Sequence, residues 1–214
     1  MGRKNWWIPA AVLAAGIVFV WPRRHLLTAE SIAALSPRQT AAAAAFLLAL
    51  YAVKGFSVVV PLSALEAAGG LVFPLPLALA VNAAGVAMAQ AGPYLLGRRN
   101  REDPAALRRR WPRLWTLLAP GGHPDRGVFL LRLAGAPPGD VVSFLLGTAG
   151  VPWRAYLAPG LLGSLPRIAA ATLLGSALWE AGSPRFWLSL AAGGACTLLS
   201  LLLWRRLRMK EGPP

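Results

Sequence analysis

Between Gly55 and Gly97 the chain runs forty-three residues with a single charged side chain, Glu66, and around that charge stand Pro61, Gly69, Gly70, Pro74 and Pro76. A stretch this long and this apolar can enter a membrane twice, yet its first half is too interrupted to be one clean helix. Broken backbone at membrane depth must be shielded by protein or line a watery cavity, and a carboxylate there is costly and is kept for transport or binding. Composition agrees with a membrane setting. The chain is 56% apolar with a mean hydropathy of +0.52, and 14% of its 214 residues are charged, where a soluble domain has about a quarter. The expected class is an all-α integral membrane protein.

The net charge of +14 raises the question of nucleic acid. The basic residues, however, cluster in short polar stretches between apolar runs, where they act as topology signals and contacts to anionic lipid headgroups. No nucleic-acid partner is expected. Nineteen Arg against three Lys suggest a GC-rich, bacterial genome. Cys196 is the only cysteine, and His25 and His123 both lie outside the apolar runs, so neither a thiolate metal site nor a membrane-embedded histidine site is expected, and no cofactor.

The apolar runs are bounded by aromatic and basic residues. Trp6 to Val20 ends in Trp21, Pro22, Arg23 and Arg24; the lack of a small-x-small cleavage site favours an uncleaved transmembrane helix over a signal peptide. Residues 28–39 read as a surface helix. A second run, from Thr40, ends at Lys54, which can snorkel to an interface. Ser57 to Pro76 is the first broken stretch, and Leu77 to Leu96 is long enough to cross. Arg98 to Arg126 is the most basic connection and is expected in the cytoplasm; within it Trp111, Leu114, Trp115 and Leu118 form an apolar stripe for the membrane surface. Gly127 to Val151 is broken again and carries Arg132 and Asp140. Trp153 to Leu178 and Phe186 to Trp204 complete the crossings, and the basic tail places the C-terminus in the cytoplasm. The expected localisation is multi-pass in a bacterial inner (plasma) membrane. The domains expected are an N-terminal region at 1–49, a central membrane unit at 50–178, and a last helix with a basic tail at 179–214.

The two broken stretches resemble each other. Pro61 and Gly70 lie nine positions apart, as do Pro138 and Gly147, and Gly85 and Gly97 lie twelve apart, as do Gly163 and Gly175. Each unit reads as a re-entrant hairpin followed by a crossing, with Pro61 and Gly70 shaping one hairpin and Pro137, Pro138 and Gly147 the other. One crossing separates the hairpins, so they enter from opposite faces and the repeat is inverted, an arrangement common in secondary transporters. The expected architecture is an inverted repeat of hairpin plus transmembrane helix, with about five full crossings. Ordinary kinked helices over 57–76 and 127–147 are the alternative.

Arg132, Pro137, Pro138, Asp140, Gly147, Trp153-Arg154, Gly163, Pro166 and Gly175 together resemble the second half of the VTT domain of the DedA / SNARE-associated Golgi protein family. Pro61, Glu66, Gly70 and Phe73 resemble its first half, and the resemblance covers about residues 50–178. It implies paired re-entrant hairpins in inverted repeats, and movement of phospholipids or polyprenyl-phosphate carriers between leaflets, driven by protons in bacterial members. The DedA-type branch has more acidic residues near the first hairpin and a second Arg where Pro137, Pro138 and Gly139 stand here. The chain therefore looks closer to the eukaryote-like branch, and proton coupling is open.

Glu66, Arg132 and Asp140 lie firmly inside the broken apolar stretches, and Arg167, after Pro166, can reach the same cavity. They form either a headgroup or proton site between the hairpins, or a buried salt bridge that holds them together. Because a guanidinium at this depth needs a partner, Arg132 is expected to face Glu66 or Asp140. Asn82 and Gln90, eight apart on one helix, are expected to bond between helices. No enzyme constellation is present: Ser57, Ser63 and Ser143 have no histidine at membrane depth. The expected function is scramblase-like or flippase-like lipid transport by a non-enzyme. A structural or assembly factor and a proton-coupled small-solute exchanger are the alternatives. Membrane lipids with anionic headgroups are the expected partners, and the oligomeric state, a homo-oligomer included, is open.

Overall fold

The computed structural model describes residues 28–57, 60–110, 123–135, 139–178 and 183–210. The first apolar run, the Trp111–Leu118 stripe and the Pro137-Pro138 pair lie outside the described residues. Within them every regular element is helical: α1 (Ala29–Leu35), α2 (Thr40–Phe56), α3 (Leu62–Val72), α4 (Leu75–Arg99), α5 (Pro104–Arg110), α6 (Pro124–Ala134), α7 (Gly139–Thr148), α8 (Trp153–Ser176) and α9 (Pro184–Lys210). Two of these, α4 with 25 residues and α8 with 24, are long and apolar enough to cross a membrane. The apolar helices α2, α3 and α7 are shorter.

Prolines write the ends of α3. Pro61 is its N-cap, with φ held at −67°, and the Pro61 carbonyl accepts from the Ala64 and Leu65 amides. Phe73, just before Pro74, is extended at φ −119° and ψ 153°, because a proline ring crowds the helical region of the residue before it. Pro76 falls in the first turn of α4, where a missing N–H costs nothing. The turn between the two helices is therefore only Phe73 and Pro74. Gly69 and Gly70, expected to interrupt the backbone, lie inside α3. On α2 the buried residues Ala43, Leu47, Tyr51 and Lys54 recur every three or four positions, so the helix turns one face inward. α1, expected at the surface, has Thr28 as N-cap and buries Ile32 where it packs on α3. Gly135, at φ +60°, ends α6 in the left-handed conformation that only glycine adopts freely.

The long and short helices pack reciprocally. α2 packs on α4 and α6 on α8, while α3 lies against α8 and α7 against α4. Each cross-packing is a pair of glycines in close approach. A Cβ on Gly70 would strike the Thr172 carbonyl, and one on Gly175 the Ala67 carbonyl; a Cβ on Gly147 would strike the Tyr94 carbonyl, and one on Gly97 the Phe144 carbonyl. These contacts correspond position by position, with Gly70 matched to Gly147, Ala67 to Phe144, Gly97 to Gly175 and Tyr94 to Thr172. The correspondence extends further: Gly85 accommodates Tyr51, and Gly163 accommodates Phe129 and the Arg132 stem. Without a hydrophobic force between helices in lipid, such close backbone contact is what holds them.

Adding a methyl at Gly147 forces it against backbone that has no room to give. Gly147→Ala should cost about 1–3 kcal/mol, read as a lower thermal midpoint in detergent. Gly194, which has open space where its Cβ would stand, is the control: Gly194→Ala should stay within about 0.5 kcal/mol.

Candidate functional site

Glu66 faces inward from α3 and is fully buried. Both of its carboxylate oxygens accept from Arg167 Nη1, at 2.7 and 2.6 Å. Arg167 follows Pro166 on α8, and its side chain remains 40% exposed while Glu66 is 0% exposed, so the pair has one dry end and one open end. Behind it, Asn82 of α4 donates to the Glu66 carbonyl and to Thr172 Oγ1, each at 2.8 Å, and accepts from the Tyr51 hydroxyl at 3.0 Å. One amide side chain thereby ties α2, α3 and α8 around the carboxylate. A side chain at Gly69 would occupy the place of the Asn82 amide.

The second carboxylate, Asp140, sits in the first turn of α7, where the helix N-terminus favours negative charge. It accepts from Lys54 Nζ at 2.7 Å. Lys54 was expected to be a snorkelling anchor; instead it is nearly buried at the end of α2 and joins segments far apart in sequence.

Arg132, in the last turn of α6, therefore does not meet the partner expected from the sequence. Neither Glu66 nor Asp140 bonds to it, because Arg167 and Lys54 take both carboxylates. Its Nη2 donates to Ser143 Oγ at 2.5 Å and to the Tyr156 hydroxyl at 3.3 Å. Ser143 in turn donates to the Gly139 carbonyl and Tyr156 to the Gln90 carbonyl. The Tyr156 ring stacks on Tyr94 with centroids 4.4 Å apart. Gly139 at the start of α7 leaves the space that Arg132 Nη1 fills. The partners of this guanidinium are neutral hydroxyls, and its Nε is buried without a hydrogen bond.

Arg132 and Arg167 converge on a cavity of about 400 Å³ between the end of α6, the middle of α8 and α9. Its other walls are largely small and apolar, including Ala170, Leu174, Leu190 and Gly193. The volume is within the range of small-ligand sites.

The sequence reading named Glu66, Arg132, Asp140 and Arg167. The geometry brings Glu66 to Arg167 and both arginines to one cavity, and it sets Asp140 with Lys54 instead. Gly70 and Gly147 serve helix contact, and Pro61 caps α3. Asn82 and Gln90 do bond between helices, Gln90 through Ser164 at 3.2 Å. Ser143, Tyr51, Tyr156 and Thr172 were missed as members of this network. One signal was available: all three tyrosines, Tyr51, Tyr94 and Tyr156, occur within or beside apolar runs, and each is fully buried with its hydroxyl bonded, as a phenol away from water requires.

The described helices bring paired charges together and set two arginines on a partly open cavity, and two of them are long and apolar enough to cross a membrane. Residues 60–177 match the VTT domain, more than half of the 214-residue chain, and the chain belongs to this DedA/SNARE-associated family of membrane proteins. No curated protein and no solved structure matches it.

Asn82 carries three buried hydrogen bonds at once. Asn82→Ala removes the acceptor of the buried Tyr51 hydroxyl together with the bonds to the Glu66 carbonyl and Thr172, and should cost about 1–3 kcal/mol, whereas Tyr51→Phe, which removes one donor, should cost about 0.5–1.5 kcal/mol. Thermal unfolding of the two purified variants in one detergent gives the order directly.

Proposed function

We propose that the protein moves a phosphate-bearing lipid between the leaflets of the membrane, with the headgroup passing through the Arg132–Arg167 cavity while the acyl chains stay in lipid. The observation that carries this reading is Arg132: a guanidinium deep among apolar helices, bonded to hydroxyls and not to a carboxylate, on a residue that helps line a cavity. A cation at that depth is costly without an anion, and a lipid phosphate supplies one together with the acceptors that match an arginine fork. The apolar walls suit the part of the lipid next to the headgroup.

The same reading takes α2–α3–α4 and α6–α7–α8 as two inverted units. The reciprocal glycine contacts support it. So do the lengths of α3 and α7, 11 and 10 residues. At 1.5 Å per residue these are about 15–17 Å long, half of a bilayer core. In this arrangement 57–76, with α3, and 127–147, with most of α6 and all but the end of α7, are the re-entrant hairpins, the full crossings number five, and residues 98–126 and the C-terminus face the cytoplasm of a bacterial plasma membrane. The protein acts as a carrier and not as an enzyme, with lipid headgroups as its partners.

In liposomes, Arg132→Ala should reduce the protein-dependent exchange of a fluorescent phospholipid to the protein-free background, while the variant still inserts and elutes as the wild type. Arg132→Lys should recover part of the rate, since an ammonium cannot form the forked contact. Exchange at the wild-type rate in Arg132→Ala would overturn the reading and favour a structural or assembly role, in which the ion pairs only hold the helices. Flux of a small solute that follows a pH gradient, with no lipid exchange, would favour a solute exchanger.

A further inference from the structure

The charges of the site add to a definite sum. Five formally charged side chains of α2, α3, α6, α7 and α8 are buried, paired or cavity-lining: Lys54, Glu66, Arg132, Asp140 and Arg167. Lys54 cancels Asp140 and Arg167 cancels Glu66, which leaves one positive charge, on Arg132. The two arginines facing the cavity are thus unlike. Arg167 is already neutralised, though Glu66 engages only its Nη1, and its exposed side chain still presents donors to the cavity. Arg132 has donors and no carboxylate bonded to it, and the one carboxylate whose charge reaches it, Asp140, is already paired with Lys54.

Resting on the lipid-transport reading above, we propose that Glu66 is a specificity-determining residue that sets the headgroup charge the cavity takes, by cancelling Arg167 and leaving room for one negative charge. The favoured ligand is then a lipid phosphodiester, with one charge on its phosphate. A phosphomonoester lipid has a second ionisable proton and approaches two negative charges as the pH rises above its second pKa. It brings an excess negative charge into a low-dielectric site, where an uncompensated charge is expensive. Glu66 never touches the headgroup in this scheme; it acts through Arg167. Removing its charge without changing its shape should turn a site for one negative charge into a site for two.

The test measures leaflet exchange in liposomes at pH 8 for two probes with the same labelled acyl chain, phosphatidylglycerol as the diester and phosphatidic acid as the monoester. The wild type should exchange the diester roughly tenfold faster than the monoester, a difference of about one decade per 1.4 kcal/mol. Glu66→Gln should invert or erase that preference. The double variant Glu66→Gln with Arg167→Gln restores a single positive charge and should restore the preference for the diester, whatever its absolute rate. This variant also keeps the proposal testable if Glu66→Gln alone does not fold. Equal rates for the two probes in the wild type, or a double variant that behaves like Glu66→Gln, would overturn the charge rule while leaving lipid transport standing. No exchange of either probe by any form would remove both. Inorganic phosphate loaded into the same vesicles separates the two sources of a phosphate anion: retention supports a lipid ligand, and protein-dependent efflux would contradict it.

Discussion

The Glu66 carboxylate is fully buried, and its charge is balanced by Arg167, which reaches it from α8. That contact requires α3 and α8 to lie almost backbone to backbone, which is what Gly70 and Gly175 permit. It also requires the carbonyl of Glu66 to be held, which Asn82 does from α4. Helix contact, polar network and ion pair are in this sense one structure. A larger residue at the glycines or an apolar one at Asn82 acts on the same carboxylate.

The second half of the chain repeats the packing but not the electrostatics. Gly147 and Gly97 hold α7 to α4 as Gly70 and Gly175 hold α3 to α8. At the place in α7 that corresponds to Glu66, however, stands Ser143. The cation next to it, Arg132, therefore meets a hydroxyl where Arg167 meets a carboxylate. The near-symmetry of the backbone makes the asymmetry of charge visible. One half of the site is neutral and the other half carries the excess positive charge.

Much of this organisation was legible in the sequence. The Pro61 and Phe73-Pro74 boundaries of α3 follow from proline sterics, and the matched glycine spacings marked the contacts that now pair Gly70 with Gly175 and Gly147 with Gly97. The charged residues were found because each is costly in an apolar run. What was not legible was their pairing. Glu66 and Arg167 are 101 positions apart, and Lys54 and Asp140 are 86 apart. Which cation reaches which carboxylate depends on how helices cross, and spacing along one chain does not encode that. Reasoning from proximity within the broken stretches assigned a carboxylate to Arg132. In the fold, cations from α2 and α8 reach those carboxylates first. Gly69 and Gly70 were read as breaks because glycine weakens helices; in tight packing their lack of a side chain is the more important property.

In the lipid-transport proposal, the counter-ion of Arg132 is a lipid phosphate. The most direct measurement is solid-state NMR of the protein in liposomes, recoupling lipid phosphorus to the guanidinium nitrogens of labelled arginine, with Arg132→Lys as the difference sample. A phosphorus–nitrogen coupling at salt-bridge distance that disappears in Arg132→Lys is expected. A coupling spectrum unchanged by that substitution, arising only from arginines at the membrane surface, would contradict it.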